Sequence, residues 1–494
     1  MMTTTYSIMQ IFLVVIICVL LWLKLKPRRP KHFPPGPDPV PVFGNILQLS
    51  TTNPLRDLNK FARHYGNVYS LFLGNRPAVF LHGLQVIRQA LVTQGADFAG
   101  RPQGLMINHV TENKGLIMAN YGPTWKEHRR FALASMKTFG LGKKTMENKI
   151  LEETHHICSH LENHLGDPVD PSFLIHSASS NVICSVLFGE RFEYKDEMHK
   201  LIINSFKENA QVANGAWAAI YDGFPALRGL PLPFQKVFKN FDIIKNHVRG
   251  VVKQHKSSRV PGEQRDVIDC YLDEMEKSTQ DGCLLEEERL VMLLLDLHFA
   301  ATDTTANTIL SGILYLATHR DIQARCQREL DEGLAGRVGI SFEDRHRMPF
   351  VMATLHETVR VANIAPVGVF HATTRDTTLK GYRIPEGTLV ITNLTSVLSE
   401  GPHWERPSDF YPPHFLDQDG SFRKPEAYLA FSAGPRVCLG EQLANMELFL
   451  VLVSLLQDFV FVWPEEDTPD LTPVFGGIQS PKPYRVTFRP RRPH

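Results

Sequence analysis

Near its carboxyl end the chain reads Phe431-Ser432-Ala433-Gly434-Pro435-Arg436-Val437-Cys438-Leu439-Gly440. Gly434 and Pro435 interrupt regular structure just before Cys438, and an apolar helical pattern, Leu439 to Leu456, begins just after it. A cysteine at a helix amino terminus meets the positive end of the macrodipole and N–H groups without partners, and both favour thiolate. Gly434 and Gly440 let the backbone approach something flat or bulky, and Arg436 offers positive charge to an anionic ligand. The alternative is a buried cysteine that packs as a small hydrophobe and does no chemistry. The chain holds seven cysteines, too few and too scattered for a disulfide scaffold.

A thiolate needs a framework to hold it. With 43% hydrophobic residues and 30 Phe among 494, the chain can bury a large core, which excludes disorder. Lys and Arg total 53 against 52 Asp and Glu, so a globally basic nucleic-acid binder is excluded as well. Length alone suggests roughly three domains of ~150 residues, or one large enzyme domain. Helical periodicity dominates: Leu58 to Tyr65, Trp125 to Met136, Lys144 to Leu165, Ala178 to Phe188 and Phe238 to Lys256 all read as amphipathic. The longest pattern, Leu284 to His319, predicts a helix of ~50 Å, enough to cross a domain. Strand-like stretches are short: Val68 to Leu73, Ala78 to Leu81, Leu379 to Ile384, Thr388 to Thr392 and Tyr484 to Phe488. The fold class is therefore mainly α with small β-sheets.

The amino-terminal segment is apolar from Ile8 to Leu23 except for Gln10, and Lys24, Lys26, Arg28, Arg29 and Lys31 follow it. About 20 such residues span a hydrocarbon core of ~30 Å. Basic residues after the apolar run, and none before it, predict an uncleaved anchor over residues 1–25 with the remainder in the cytosol. Residues 26–41 then form a basic stop and a stiff proline-rich strut, Phe33 to Pro41, for which an ordinary linker is the alternative. Residues 42–494 are left as the catalytic domain.

The run Phe-x-x-Gly-x-Arg-x-Cys-x-Gly resembles the haem-thiolate loop of the cytochrome P-450 monooxygenases, in which the cysteine is the proximal iron ligand. Other segments are similar to that family in order and spacing. Glu357-Thr358-Val359-Arg360 resembles its Glu-x-x-Arg motif, and Trp404 to Phe415 its meander, with His414 where a basic partner, usually Arg, completes a buried network. A histidine there implies a weaker or pH-sensitive network, since His loses charge near neutrality. Ala300-Ala301-Thr302-Asp303-Thr304-Thr305 resembles the oxygen-activating segment, with Ala301 in place of the familiar Gly. The resemblance implies that Thr304 serves the bound oxygen and Asp303 relays protons; a threonine bonded back to the i−4 carbonyl is the alternative. Trp125-Lys126-Glu127-His128-Arg129 resembles the Trp-x-x-x-Arg segment, whose spacing puts Trp125 and Arg129 on one face to clamp a haem propionate. Arg101, His371 and Arg436 occupy positions where relatives place further propionate contacts, and Phe370 stands where close relatives usually have Pro.

The branch most similar is the vertebrate microsomal one, with drug-, fatty-acid- and arachidonate-oxidising enzymes. It implies a single large helical domain, haem b held by Cys438, and insertion of one oxygen atom from O2 into a lipophilic small molecule. Electrons must come from outside, because no G-x-G-x-x-G after a strand marks a nicotinamide or flavin site, and the resemblance implies NADPH through a membrane reductase, with cytochrome b5 as a candidate second partner. It further implies the endoplasmic reticulum membrane, with the lipid bilayer as a partner. Lys126, Arg130, Lys137, Arg423 and Lys424 form a candidate basic face for an acidic reductase. Phe299, Ala300, Val369 and Ile478 are the candidate pocket residues, within segments rich in apolar side chains. Three rivals remain: a haem-thiolate isomerase or lyase needing no external electrons, a membrane-anchored cysteine hydrolase built on Cys438 with a histidine, and last a membrane-tethered binding protein.

Overall fold

In the computed structural model, residues 26–494 are described, apart from 51, 140–143, 214, 278–284, 338, 400–401 and 492–494. The expected anchor, residues 1–25, lies outside the described residues, and no described helix is long and apolar enough to cross a membrane. Among the described residues the helices of eight residues or more are, in order, α1 (Pro54–Tyr65), α2 (Pro123–Thr138), α3 (Lys144–Glu162), α4 (Ser172–Leu187), α5 (Glu197–Ala213) and α6 (Ala216–Gly223). They continue with α7 (Gln235–Ser258), α8 (Val267–Lys277), α9 (Glu287–Thr318), α10 (Arg320–Leu334), α11 (Pro349–Ala362) and α12 (Glu441–Asp458).

Helix α9 runs 32 residues, about 48 Å, and its buried positions fall on every side. A helix apolar all round belongs in a core. It packs most extensively against α4, whose Ser177, Ala178, Ser179, Ser180 and Asn181 are small enough for close approach. Helix α12, buried from Leu448 to Val453, lies on α9 and α3. Ends are set by polar side chains: Asn53 accepts the Arg56 N–H to start α1, and the Glu329 carboxylate on α10 accepts the N–H groups of Phe350 and Val351 to start α11. Each satisfies donors that the helix itself leaves orphaned.

The principal sheet has the order β1 (Val68–Leu73), β2 (Arg76–His82), β7 (Leu389–Asn393), β4 (His371–Ala372), with β2 and β7 parallel and the other pairs antiparallel. Strands β3 (Pro168–Val169), β9 (Val486–Pro490) and β8 (Phe459–Val462) form a second sheet. The expected single strand Leu379 to Ile384 is instead a hairpin of β5 (Thr377–Leu379) and β6 (Tyr382–Ile384). Lys380 and Gly381, at φ +51° and +84°, supply the two left-handed residues of a tight turn. The proline-rich segment packs on β1: Ser70 donates to the Pro34 carbonyl at 2.7 Å, its N–H donates to Pro35 O, and a Cβ at Gly36 would collide with Ser70 O.

Glu447 sits in the helical core with no cation beside it among the described residues. Burial lifts the Glu447 carboxyl on α12 to about 8, with repulsion from Glu153 adding to it. The folded group therefore keeps its proton up to about pH 8, whereas an unfolded glutamate releases it near 4.5. Stability drains away as pH rises through that window, by up to ~4 kcal/mol. Glu447→Gln, which cannot ionise, is expected to match the parent near pH 4.5 and to exceed it increasingly toward pH 8 in denaturant unfolding. An offset that stays constant with pH would contradict a buried neutral acid.

Candidate active site

The loop before α12 folds as Gly434 dictates. At φ +75° its backbone touches Leu91 O so closely that any Cβ would overlap that oxygen. A short 3-10 turn, Gly434–Arg436, then aims Arg436 inward, and the Cys438 N–H closes the loop on Phe431 O at 3.0 Å. Cys438 retains exposed surface although protein encloses it, so the thiol faces an internal space. Burial raises its pKa, against the pull of the Gly440 and Glu441 N–H groups and of Arg129. The helix terminus therefore favours thiolate as expected, but desolvation outweighs it until a cation arrives to be ligated.

Around the loop lies positive charge without an acid. The Trp125 ring carries the Arg436 guanidinium 4.0 Å from its centroid and that of Arg129 at 5.6 Å. Arg436 donates to the carbonyls of Ala99, Leu116 and Ala119, and Arg101 to those of Ile117, Val369 and Phe370. Arg129 donates to Val437 O at 2.7 Å, which ties α2 to the cysteine loop. Among the described residues none of these three guanidiniums meets a carboxylate, and Arg101 Nη2 and Arg129 Nη1 have no protein acceptor. The strain is electrostatic: burial, then Arg101 and Arg129, pull Arg436 to about 8, and burial pulls Arg101 to about 9. His371 donates from Nδ1 to Phe98 O, and burial, then Arg101, hold it near 3. A flat group with two carboxylates and a metal for the thiol fits this donor set, so the residues present suit haem.

The α9 face opposite the core opens onto space. Leu297, Ala300, Ala301 and Thr304, at i, i+3, i+4 and i+7, are half-exposed, as is Phe299, on a helix otherwise buried from Leu290 to Ala317. The helix is continuous through Ala301. Thr304 donates its hydroxyl to Ala300 O at 2.6 Å, so the back-bonded alternative is the one observed; its lone pairs stay available as acceptors. Asp303 is buried and faces α4 rather than its neighbour. Phe299 rests edge-on against Phe206 at 5.3 Å. Val369 reaches Arg101 through its carbonyl, and Ile478 is held through Gln479, which binds Ile364 O and Asn363 O. No hydrogen bond or ring contact among the described residues joins Val369 or Ile478 to Phe299 or Ala300.

The Glu357–Arg360 pair is wholly buried and bidentate, both N–O distances being 2.7 Å. Arg360 spends its remaining protons on the carbonyls of Leu398, Pro407 and Asp409, and stacks on Trp404. It thus braces the segment that leads to the cysteine loop. His414 joins as a neutral donor rather than a cation: its Nε2 accepts the Arg406 N–H at 3.1 Å, so Nδ1 carries the proton that reaches Glu357 at 3.2 Å. His414 thus gives Glu357 a hydrogen bond but no second positive charge, which a charged partner would have added.

Asp296 is a residue the sequence reading missed. Its Oδ2 accepts the N–H groups of Leu116 and Ile117 at 2.6 and 2.8 Å, and burial lifts its carboxyl to about 6. Leu116 O in turn accepts from Trp125 Nε1 and Arg436, so this carboxylate positions the cradle at one remove. A lone acid within Leu293-Leu294-Leu295-Asp296-Leu297 was its available signal, since a buried acid must be paired.

The family model described as Cytochrome P450 matches residues 34–488. Among curated relatives, Cytochrome P450 2J5 of Mus musculus is 38% identical over 468 residues, 94% of this chain and 93% of that one. Cytochrome P450 2J2 of Homo sapiens is 39% identical over 469 residues, with 94% and 93% covered. Cytochrome P450 2C5 of Oryctolagus cuniculus is 39% identical over 487 residues, with 97% and 99% covered.

Asp296→Leu strands two buried N–H groups and is expected to cost about 2–5 kcal/mol in denaturant unfolding, with loss of bound haem. Asp296→Asn keeps an acceptor oxygen and is expected to stay within ~1 kcal/mol of the parent at pH 7. Equal stability of the two variants would remove the positioning role.

Proposed function

The chain belongs to the cytochrome P450 family, and on that premise we propose that Cys438 is the axial ligand of its haem and that Arg101, Trp125, Arg129, His371 and Arg436 hold the propionates. The chain is a haem-thiolate monooxygenase that draws electrons from NADPH through a reductase. The observation carrying the site assignment is a set of three guanidiniums, Arg129 and Arg436 on Trp125 and Arg101 near enough to repel Arg436, that no carboxylate among the described residues neutralises. Bound haem supplies the activation of O2, one atom entering the substrate and the other leaving as water.

The chain's own residues do the rest. N–H groups of Gly440 and Glu441 stabilise negative charge on Cys438 Sγ, and Arg129 adds a positive charge behind the loop. Thr304 accepts through its lone pairs while its hydroxyl stays on Ala300 O, and it must release that carbonyl to donate elsewhere. Asp303, buried next to it in sequence, holds and passes protons. Phe299, Ala300, Val369 and Ile478 line a largely apolar space suited to a fatty acid, steroid or xenobiotic, from which they exclude water.

The enzyme belongs to the endoplasmic reticulum membrane, anchored by residues 1–25 with its catalytic domain in the cytosol. Support for bilayer contact comes from exposed Phe43, Leu47, Trp217 and Leu230, with Phe43 meeting Phe224 edge-on at 6.0 Å. The reductase docks on exposed Lys126, Arg130 and Lys137 of α2, which make no ion pair among the described residues. Arg423 and Lys424 add less, since Asp417 and Glu441 already pair with them. Reversing charge at Lys126 and Arg130 together is expected to cut reductase-driven turnover at least ~10-fold while sparing the peroxide-driven reaction. Equal loss in both assays would sink the docking surface.

A further inference from the structure

At the carboxyl end of α9 the surface opens into a cleft of about 630 Å³, walled by α9, α10, α11, the segment from Arg406 to Pro413, and Leu471. Tyr315, on its wall, stands three turns of helix beyond Thr304, roughly 16 Å along α9. No lining residue belongs to the haem cradle or to the candidate substrate pocket. Much of the lining is apolar. Phe410 stacks on Tyr315 at 4.9 Å and both rings are buried, whereas Leu471 stays 38% exposed.

Two guanidiniums share this cleft, and each has turned from an acid on its own segment to an aromatic ring. Arg325 follows Asp321 by one turn of α10, a spacing that favours an ion pair, yet it lies 3.8 Å from the centroid of Phe350. Glu329, one turn further on, feels the Arg325 charge but spends its carboxylate on the N–H groups of Phe350 and Val351. Arg406 lies 4.6 Å from the centroid of Tyr411 rather than on Asp409. Among the described residues neither side chain makes an ion pair or donates a hydrogen bond. A guanidinium stacked on a ring spends its face and keeps its N–H edge for an acceptor. The ring also fixes its direction, which lowers the entropy lost when an anion docks. Asp321 and Asp409 line the cleft too, so it holds no excess charge with which to capture a small inorganic anion. Apolar contact must supply much of the affinity.

From this geometry we propose that the cleft is a second ligand site, separate from the haem pocket, which takes a free organic monoanion with a flat apolar body. The carboxylate or sulfonate of the ligand meets the free edges of Arg325 and Arg406, and its rings lie against Phe410 and Leu471. Ile322 and Val361 complete the apolar wall.

The test uses the full, haem-loaded chain with an azole on the iron to fill the substrate space, and pyrenebutyrate as the probe, followed by titration calorimetry. A single site per chain is expected, with the absorption band of the azole complex unchanged. Pyrenebutanol, which has the same body without the charge, is expected to bind about 10-fold more weakly. Arg325→Gln and Arg406→Gln are each expected to weaken pyrenebutyrate about 3-fold, and together about 10-fold, while leaving pyrenebutanol unaffected. Both positions are exposed, so the variants are expected to keep the fold, which unchanged haem content checks. Leu471→Glu is expected to weaken both probes. Binding that occurs only by displacing the azole, equal affinity for the two probes, or a double arginine variant that binds like the parent would each overturn the site. Displacement of pyrenebutyrate by inorganic phosphate would overturn the requirement for an apolar body.

Discussion

Buried positive charge that lacks an acid organises this molecule. Arg129 and Arg436 flank the Cys438 loop and Arg101 stands behind Arg436, and among the described residues every acceptor they find is a carbonyl oxygen. Carbonyls satisfy the donors without cancelling the charge, so the fold retains an electrostatic debt that an anionic ligand settles. Much of the surrounding structure holds these groups in place. Trp125 is clamped between two of them, Asp296 pins the loop whose carbonyl they use, and Arg129 ties α2 to the cysteine loop. Folding without the ligand is correspondingly strained, which couples stability to haem binding.

The second buried cation, Arg360, solves the same problem by other means. Glu357 neutralises it in bidentate fashion, and the remaining N–H groups hold carbonyls of the segment from Leu398 to Asp409. That segment delivers the chain to the Cys438 loop, so the pair acts as a permanent brace where the first cluster awaits its anion. His414 shows how a neutral side chain replaces a charged one there. It needs only a donor toward Glu357 and an acceptor for Arg406 N–H, and a single imidazole tautomer provides both.

What the sequence made legible was whatever local period or spacing encodes. Strand β1 coincides with the expected Val68 to Leu73, and α9 lies within a few residues of the expected Leu284 to His319. The hairpin at Lys380-Gly381 was missed because a short apolar stretch hides a two-residue turn. Strand β8 was missed because Phe459 to Val462 follows the apolar run of α12 after only Gln457 and Asp458, with no Gly or Pro to mark the switch. At the site, the residue types around Cys438 could be named in advance, but their partners could not. Backbone carbonyls leave no trace in sequence, and neither Asp296 nor Gln479 belongs to a recognisable motif. The turn of Asp303 toward α4 likewise depends on packing against a helix more than a hundred residues distant.

The claim on which the rest hangs is that Cys438 presents a thiolate to haem iron inside this cationic cradle. The most direct measurement is the absorption spectrum of the reduced carbon monoxide adduct, taken on the purified chain and on Cys438→Ser at equal haem content. The account requires a strongly red-shifted Soret band in the parent and its absence in the serine variant. A parent that binds no haem, or a serine variant that keeps the shifted band, would contradict it.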